Sequence, residues 1–148
     1  MEKTLVVLKP GAIQRELMGE IIKRFELKGM TIIGMKLLQA TTEHAHKHYA
    51  VHKDKAFFPE LVEYITSGPI LAMVLAGPNI IEIVRLMTGK TNPLESAPGT
   101  IRGDFSLNTQ KNLIHASDCV ESAEYEIPIY FTKDELLDYH LLNEPSIY

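Results

Sequence analysis

The sequence predicts an α+β fold that opens as one half of a split βαβ unit. Three observations carry that expectation. Short apolar and β-branched runs occupy residues 4–8, 31–39 and 69–76; an amphipathic pattern fills the interval between the first two; and Pro10-Gly11 and Gly77-Pro78 close the first and third.

A chain of 148 residues with 45% hydrophobic residues suits one domain, 1–148, with a sizeable core. A net charge of −4 gives no basic footprint of the kind a general nucleic-acid binder carries, so any phosphate site must come from a local cluster of Lys and Arg. The single cysteine, Cys119, excludes an internal disulfide framework and fits a reducing compartment. The chain enters a strand almost at once, without a signal-peptide profile, and has no apolar run long enough to span a bilayer; the expectation is a soluble, cytoplasmic protein with no membrane partner.

In order, residues 4–8 read as a buried strand whose carboxyl end is a loop at Lys9-Pro10-Gly11, where ligand-binding groups often gather. Residues 18–28 read as a helix, with Ile21, Ile22 and Phe25 on one face, Lys23, Arg24 and Lys28 opposite, and Gly29 closing it. The strand at 31–39 follows, then a polar helix over 42–53. His44, His48 and His52 are spaced by four and share one face of that helix. Such a pair can bind a transition metal, but a metal site needs a third ligand and supporting contacts, so a solvated face is the default reading.

Pro59 sits in the first turn of a helix over 60–66, and the adjacent Phe57 and Phe58 cannot both face one core. After the strand at 69–76, Asn79 is a candidate cap for a helix over 80–87 that carries Arg85. The segment 88–103 then reads as a long loop, a length usually reserved for function or mobility. Gly89-Lys90-Thr91 resembles the tail of a P-loop, but no glycine lies five residues before Gly89, and that reading is rejected. The last segments are a short strand at Leu113-Ile114, a helix starting near Asp118 and stopped or kinked by Pro128, and a helix over 133–142.

His115 is expected where the short strand has ended and the helix has yet to begin. The spacing of Asp118 and Glu121 suits a capping box, and free N–H groups with the positive end of the helix dipole welcome phosphate. Glu121, Glu124 and Glu126 are available to hold the imidazole, which could then serve as a nucleophile near neutral pH. From the residues alone, a satisfied histidine at a strand end is equally open.

Asn112-Leu-Ile-His115-Ala-Ser117-Asp118 resembles the active-site signature of the nucleoside diphosphate kinases, and the Ser-Ala-Glu run ending at Glu126 follows the same pattern. Thr91-Asn92-Pro93 and the run from Pro98 to Asp104 also match, so the resemblance spans about residues 4–130. It implies a ferredoxin-like βαββαβ sandwich, an antiparallel four-stranded sheet with helices on its surface. It further implies that His115 is phosphorylated, that Glu126 orients it with Ser117 hydrogen-bonded to that carboxylate, and that Lys9 and Asn112 bind the ribose hydroxyls. Tyr49 and His52 would line the nucleotide cleft, Phe57 would stack on the base beside Leu61, and Arg85, Thr91 and Arg102 would hold the phosphates. The implied reaction is ping-pong transfer of a γ-phosphoryl from a nucleoside triphosphate, mainly ATP, to nucleoside diphosphates, maintaining NTP and dNTP pools. The implied cofactor is Mg²⁺ bound mainly through the nucleotide phosphates, with no dedicated metal residues. The resemblance also implies a homo-oligomer, a hexamer before a tetramer.

The sequence departs from that family at Gly11-Ala12, where Asp-Gly is usual, at Thr109, where an apolar residue often meets the base, and at Cys119, where small residues stand. Cys119 is expected either as a thiol activated by the helix N-terminus or as a buried small hydrophobe. There is no Trp, and Ile147-Tyr148 would keep part of the contact role of the family's Trp-containing tail. A non-catalytic nucleotide-binding domain and a phosphohistidine donor to proteins are the competing readings.

Overall fold

The strand run that opens the chain becomes the spine of the molecule: Thr4, Leu5, Val6, Val7 and Leu8 are all 0% exposed. The structure is a computed structural model describing residues 1–109 and 111–147; Tyr148, expected to share a tail contact with Ile147, lies outside the described residues. In chain order the elements are β1 (Glu2–Leu8), α1 (Pro10–Gln14), α2 (Met18–Lys28), β2 (Thr31–Gln39), α3 (Thr42–His48), α4 (Phe58–Ile65) and β3 (Pro69–Gly77). They continue as α5 (Ile80–Thr88), α6 (Ile101–Phe105), β4 (Ile114–Ala116), α7 (Val120–Tyr130) and α8 (Glu144–Ile147).

The sheet order is β2-β3-β1-β4 and every pairing is antiparallel, which is the ferredoxin-like arrangement. Alternation along β1 sends Val6 and Leu8 to one face and Leu5 and Val7 to the other. The first face packs on Ile21 and Phe25 of α2, on Ile80, Ile81 and Val84 of α5, and on Ile101. The second packs on Ala45 and Tyr49 beside α3, Ile65 of α4, and Tyr130 and Phe131. With both faces covered, the central strands read as continuous apolar runs, each fully buried side chain contributing roughly 1.5–3 kcal/mol. α7 belongs to both layers, contributing Ala123 to the first core and Tyr130 to the second.

Several boundaries differ from expectation. The expected loop after β1 contains α1, whose first position is Pro10, preorganised for a helical turn. The helix over 42–53 ends at His48 and passes into a 3-10 turn at Ala50–His52. Asn79 does not cap α5 with its side chain; it takes the left-handed conformation, φ 53°, and its carbonyl accepts Ile83 N–H at 3.1 Å. The long 88–103 segment is not without structure: a 3-10 turn covers Pro93–Glu95, and α6 begins at Ile101, capped by the Thr100 side chain, which accepts Gly103 N–H at 3.0 Å. Gly103 permits this turn, because a Cβ there would collide with the Ala97 carbonyl.

α7 corrects two expectations. No capping box forms between Asp118 and Glu121; Cys119 is the N-cap residue, and Asp118 Oδ1 instead accepts Ser122 Oγ–H at 2.6 Å. Pro128 neither stops the helix nor shortens it to two turns. It sits in the last turn, Phe131 N–H still donates to Ile127 O at 3.0 Å, and burial of Tyr130 and Phe131 anchors the end. The helix expected over 133–142 is also absent apart from a 3-10 turn at Lys133–Glu135. Leu137 N–H donates to Ile33 O at 2.8 Å, at the bulge of β2, so the backbone is spent on the sheet edge rather than on a helix.

Candidate active site

β4 has three residues, and their alternation decides the site. Ile114 and Ala116 go into the first core, which turns His115 to the opposite side, paired in register with Val7. Lys9, the residue after β1, donates its N–H to Leu113 O at 2.9 Å, so the lysine and the histidine leave neighbouring strands at one end of the sheet. Across from them α7 supplies Glu126, whose Oε1 lies 2.9 Å from His115 Nε2 and accepts Ser117 Oγ–H at 2.7 Å. Ser117 is fixed to the spine in turn: its Oγ accepts Leu5 N–H at 3.1 Å, and its own N–H donates to Leu5 O at 3.1 Å. A carboxylate oxygen accepts hydrogen bonds, so Nε2 is the ring nitrogen of His115 that donates to Glu126.

His115 opens into a cleft of about 790 Å³, within the size range of small-molecule sites. Of the residues singled out in the sequence, Lys9, Tyr49, His52, Leu61, Arg85, Thr91, Arg102 and Asn112 line it, with Thr109 beside Asn112. Glu126 is also part of the wall, while Ser117 stands behind it, fully buried. Phe57 is not among the lining residues. It is half-buried beside His52, ring centroids 5.6 Å apart, with the Lys55 ammonium over its ring. Asn112 is buried with most of its amide engaged: Nδ2 donates to Thr109 O at 2.9 Å and Oδ1 accepts Ile114 N–H at 3.3 Å.

The cations are held by backbone rather than by carboxylates. Arg85 Nη1 donates to Ala116 O at 3.2 Å; Arg102 donates from Nη1 to Gly89 O at 2.9 Å and from Nη2 to Ile114 O at 2.7 Å, while its Nε is buried without a partner. Among the described residues neither arginine nor Lys9 forms an ion pair. Burial, with Arg102 nearby, brings the Lys9 ammonium down to about 7, and burial with Arg85 nearby brings Arg102 down to about 10. Unpaired buried cations are costly, and an incoming polyanion relieves that cost.

The histidines spaced by four do not form one solvated helix face: α3 ends at His48, and His52 lies in the turn that follows. His44 Nδ1 accepts Thr41 N–H at 3.1 Å as part of a capping box, and His48 is buried on Tyr130. His48 was missed as a cleft residue: its ring lies 4.3 Å, centroid to centroid, from that of His115. The signal was present in the inward stripe Ala45, His48, Tyr49, the only i, i+3, i+4 set of that polar helix to reach the core. Lys47, Ser122 and Tyr125 are further lining residues that the sequence reading did not single out; Asp118 and Glu121, named there as a cap and as a candidate partner of the imidazole, line the cleft as well. Cys119 is exposed, with Sγ 3.2 Å from Ser122 Oγ, so the buried-hydrophobe alternative fails.

An α+β sandwich that presents a carboxylate-anchored imidazole to a cleft bordered by unpaired lysine and arginines defines a class of protein built to hold a polyanion against a histidine. Comparison with known proteins narrows that class. Residues 2–136 match the family model described as nucleoside diphosphate kinase. A nucleoside diphosphate kinase of Bacillus cereus is 54% identical over 148 residues, covering 100% of both chains, and one of Roseiflexus is 52% identical over 148 residues, covering 100% of this chain and 99% of that one. Among solved structures, a halophilic nucleoside diphosphate kinase from Halobacterium salinarum in complex with CDP superposes with a TM-score of 0.97 at 44% identity, covering 99% of this chain and 98% of that one. The chain belongs to the nucleoside diphosphate kinase family. No helix among the described residues is long and apolar enough to cross a membrane.

Proposed function

We propose that this chain is a nucleoside diphosphate kinase working by ping-pong phosphoryl transfer through His115. The observation that carries the reading is the Ser117–Glu126–His115 relay, which leaves Nδ1 as the free lone pair facing a cleft of unpaired cations. In the first half-reaction His115 Nδ1 attacks the γ-phosphorus of a nucleoside triphosphate, mainly ATP. The N–P bond forms as the bridging P–O bond breaks, and the electron pair leaves on the terminal oxygen of the departing diphosphate. A second nucleoside diphosphate then attacks the phosphohistidine with its terminal oxygen and leaves as triphosphate. The reaction maintains NTP and dNTP pools.

Through both halves Nε2–H stays on Glu126, which compensates the positive charge gathering on the ring. Arg85, Arg102 and Thr91 bind the phosphates, aimed at the charge spread over the transferring oxygens. Lys9 and Asn112 hold the ribose hydroxyls, Tyr49 and His52 close the cleft wall, Leu61 packs on the base, and Phe57, next to His52 just outside that wall, would reach the base only by turning toward the cleft. Stacking accepts any base, so the enzyme is unselective among nucleosides. The cleft's donor set fits Mg²⁺ entering with the nucleotide, held by its phosphates and water with Asp118 and Glu121 at the wall; bound there it neutralises phosphate charge. The family resemblance points to a homo-oligomer, a hexamer before a tetramer, whose contacts would cover exposed apolar residues such as Leu94 (95%), Leu107 (100%) and Leu142; a light-scattering mass distinguishes the two. The cytoplasm is the compartment that supplies these nucleotides.

The test exposes the protein to γ-labelled ATP and Mg²⁺ without acceptor, beside His115→Ala. Acid-labile, alkali-stable label on the unaltered chain alone, discharged by GDP or CDP, is the expected result. Folded protein that takes no label overturns the reading.

A further inference from the structure

The buried group without a role in that reaction is His48. Its ring is 7% exposed and stands nearly perpendicular to that of His115, with interplanar angle 70°. Nδ1 lies 2.8 Å from the Tyr130 hydroxyl, and Nε2 is buried with no partner. Tyr49 and Tyr130 close on it, at ring centroid distances of 4.7 Å and 5.8 Å. The site thus holds a planar ring tied to Tyr130 by one nitrogen, with the other nitrogen buried and unpaired at a cost that a side chain fixed only by burial would not carry.

The relay through Glu126 holds His115 by one hydrogen bond at Nε2. A single bond fixes one atom and leaves the ring free to swing about that point, which would carry Nδ1 away from an in-line approach. A perpendicular ring in van der Waals contact removes that freedom, because neither ring can turn without striking the other. Charge matters as well. Burial, with His115 and Lys9 nearby, holds His48 well below the ordinary histidine range, so it stays neutral as positive charge gathers on the His115 ring.

We propose that His48 is a positioning residue for the phosphoryl transfer: a neutral ring, tied to Tyr130, that locks the His115 imidazole so that Nδ1 is the nitrogen presented to phosphorus. The inference rests on the phosphohistidine reading. It differs from the role of Glu126, which sets the tautomer, because His48 sets the ring's orientation once the tautomer is chosen.

The test measures three quantities in the full-length protein: single-turnover labelling rate from γ-labelled ATP, KM for the acceptor diphosphate, and the ring nitrogen phosphorylated, read as the phosphohistidine isomer after alkaline digestion. His48→Ala should slow labelling by roughly 10–100-fold, the scale of a misplaced reacting atom, leave KM within about two-fold because the nucleotide contacts stay intact, and move part of the label from Nδ1 to Nε2. The pair His48→Phe/Tyr130→Phe keeps a neutral ring and removes the hydroxyl that would otherwise be orphaned. It should return the isomer ratio to that of the unaltered chain; should the alanine variant fail to fold, His48→Leu, which fills the space without a planar ring, is expected to shift the ratio as alanine does, and an unchanged ratio in it overturns the proposal. An isomer ratio and labelling rate unchanged in folded His48→Ala, or a ratio not restored by the Phe/Phe pair, overturns the proposal. No label on the unaltered chain overturns the underlying reaction instead, a different and separately visible outcome.

Discussion

Lys9 is the residue whose charge depends most on what fills the cleft. Its value of about 7 against an ordinary 10.5 means that the unoccupied fold loses stability as pH falls from about 10.5 to about 7, with no further loss from this group below that. A bound polyphosphate favours the ammonium and raises the value again. Nucleotide binding should therefore take up protons, close to none at pH 6 and approaching about one per site near pH 8, where the free lysine is largely neutral. Calorimetry in buffers of different ionisation enthalpy reads this directly; an uptake independent of pH across that window refutes it. Lys9→Met should abolish the uptake. At the same scale, Glu126→Gln keeps the size but removes the charge behind the ring, and roughly a hundred-fold loss in labelling rate is expected from a loosened reacting nitrogen, measured by single turnover.

Helix α4 contributes more than a wall of the cleft. The Tyr64 hydroxyl accepts Gly11 N–H at 3.1 Å and donates to Asn112 O at 3.1 Å, joining α4 to the segments that carry Lys9 and Asn112. It also bears on Gly11, one of the departures noted in the sequence, since a Cβ there would lie 2.5 Å from that hydroxyl and force it to shift. Gly11→Ala should lower stability by about 1–2 kcal/mol through the forced shift, and Tyr64→Phe by about 1 kcal/mol through the two lost bonds. Combined, they should cost at least about 0.5 kcal/mol less than their sum, because the clash goes with the hydroxyl. Denaturant unfolding of the four proteins checks this; simple additivity would sink it. At this scale the sequence was readable where one force dominates. The apolar stripe Ile21, Ile22, Phe25 and the closing Gly29 placed α2 because burial and the left-handed cap, φ 96°, agree. It was misleading where tertiary contacts outvoted local preference. Pro128 reads as a stop, yet burial of Tyr130 and Phe131 carries the helix past it. His48 reads as one of a solvated set, yet Ala45 and Tyr49 turn it inward.

The molecule as a whole is a sheet covered on both faces, with one edge strand, β2, strapped by the chain's last segment. Leu137 N–H reaches Ile33 O, the Tyr139 hydroxyl donates to Ile32 O, and Lys36 pairs with Glu135 at 2.6 Å. No periodicity in residues 133–142 announces this, because an extended strap takes its order from the bulge it covers. Leu137 is itself largely exposed, so Leu137→Pro removes a donor with little loss of burial. It should lower Tm by about 2–5 °C while leaving kcat per folded molecule unchanged, the cleft being lined by other segments; scanning calorimetry beside a coupled assay measures both. The motif carrying Asn112, His115 and Ser117, by contrast, was legible as a pattern around one short strand, although His115 stands inside β4 rather than past its end as the sequence suggested. That strand leans on β1, and here the fold sets a limit on motion. The amide of Leu5, buried and bonded to Ser117 Oγ, can exchange its hydrogen with solvent only when the sheet's middle opens. Its exchange rate should therefore equal that of the slowest amides in the chain, and the alignment of His115 against Glu126 should persist, undiminished by local breathing, up to the temperature at which the whole domain unfolds.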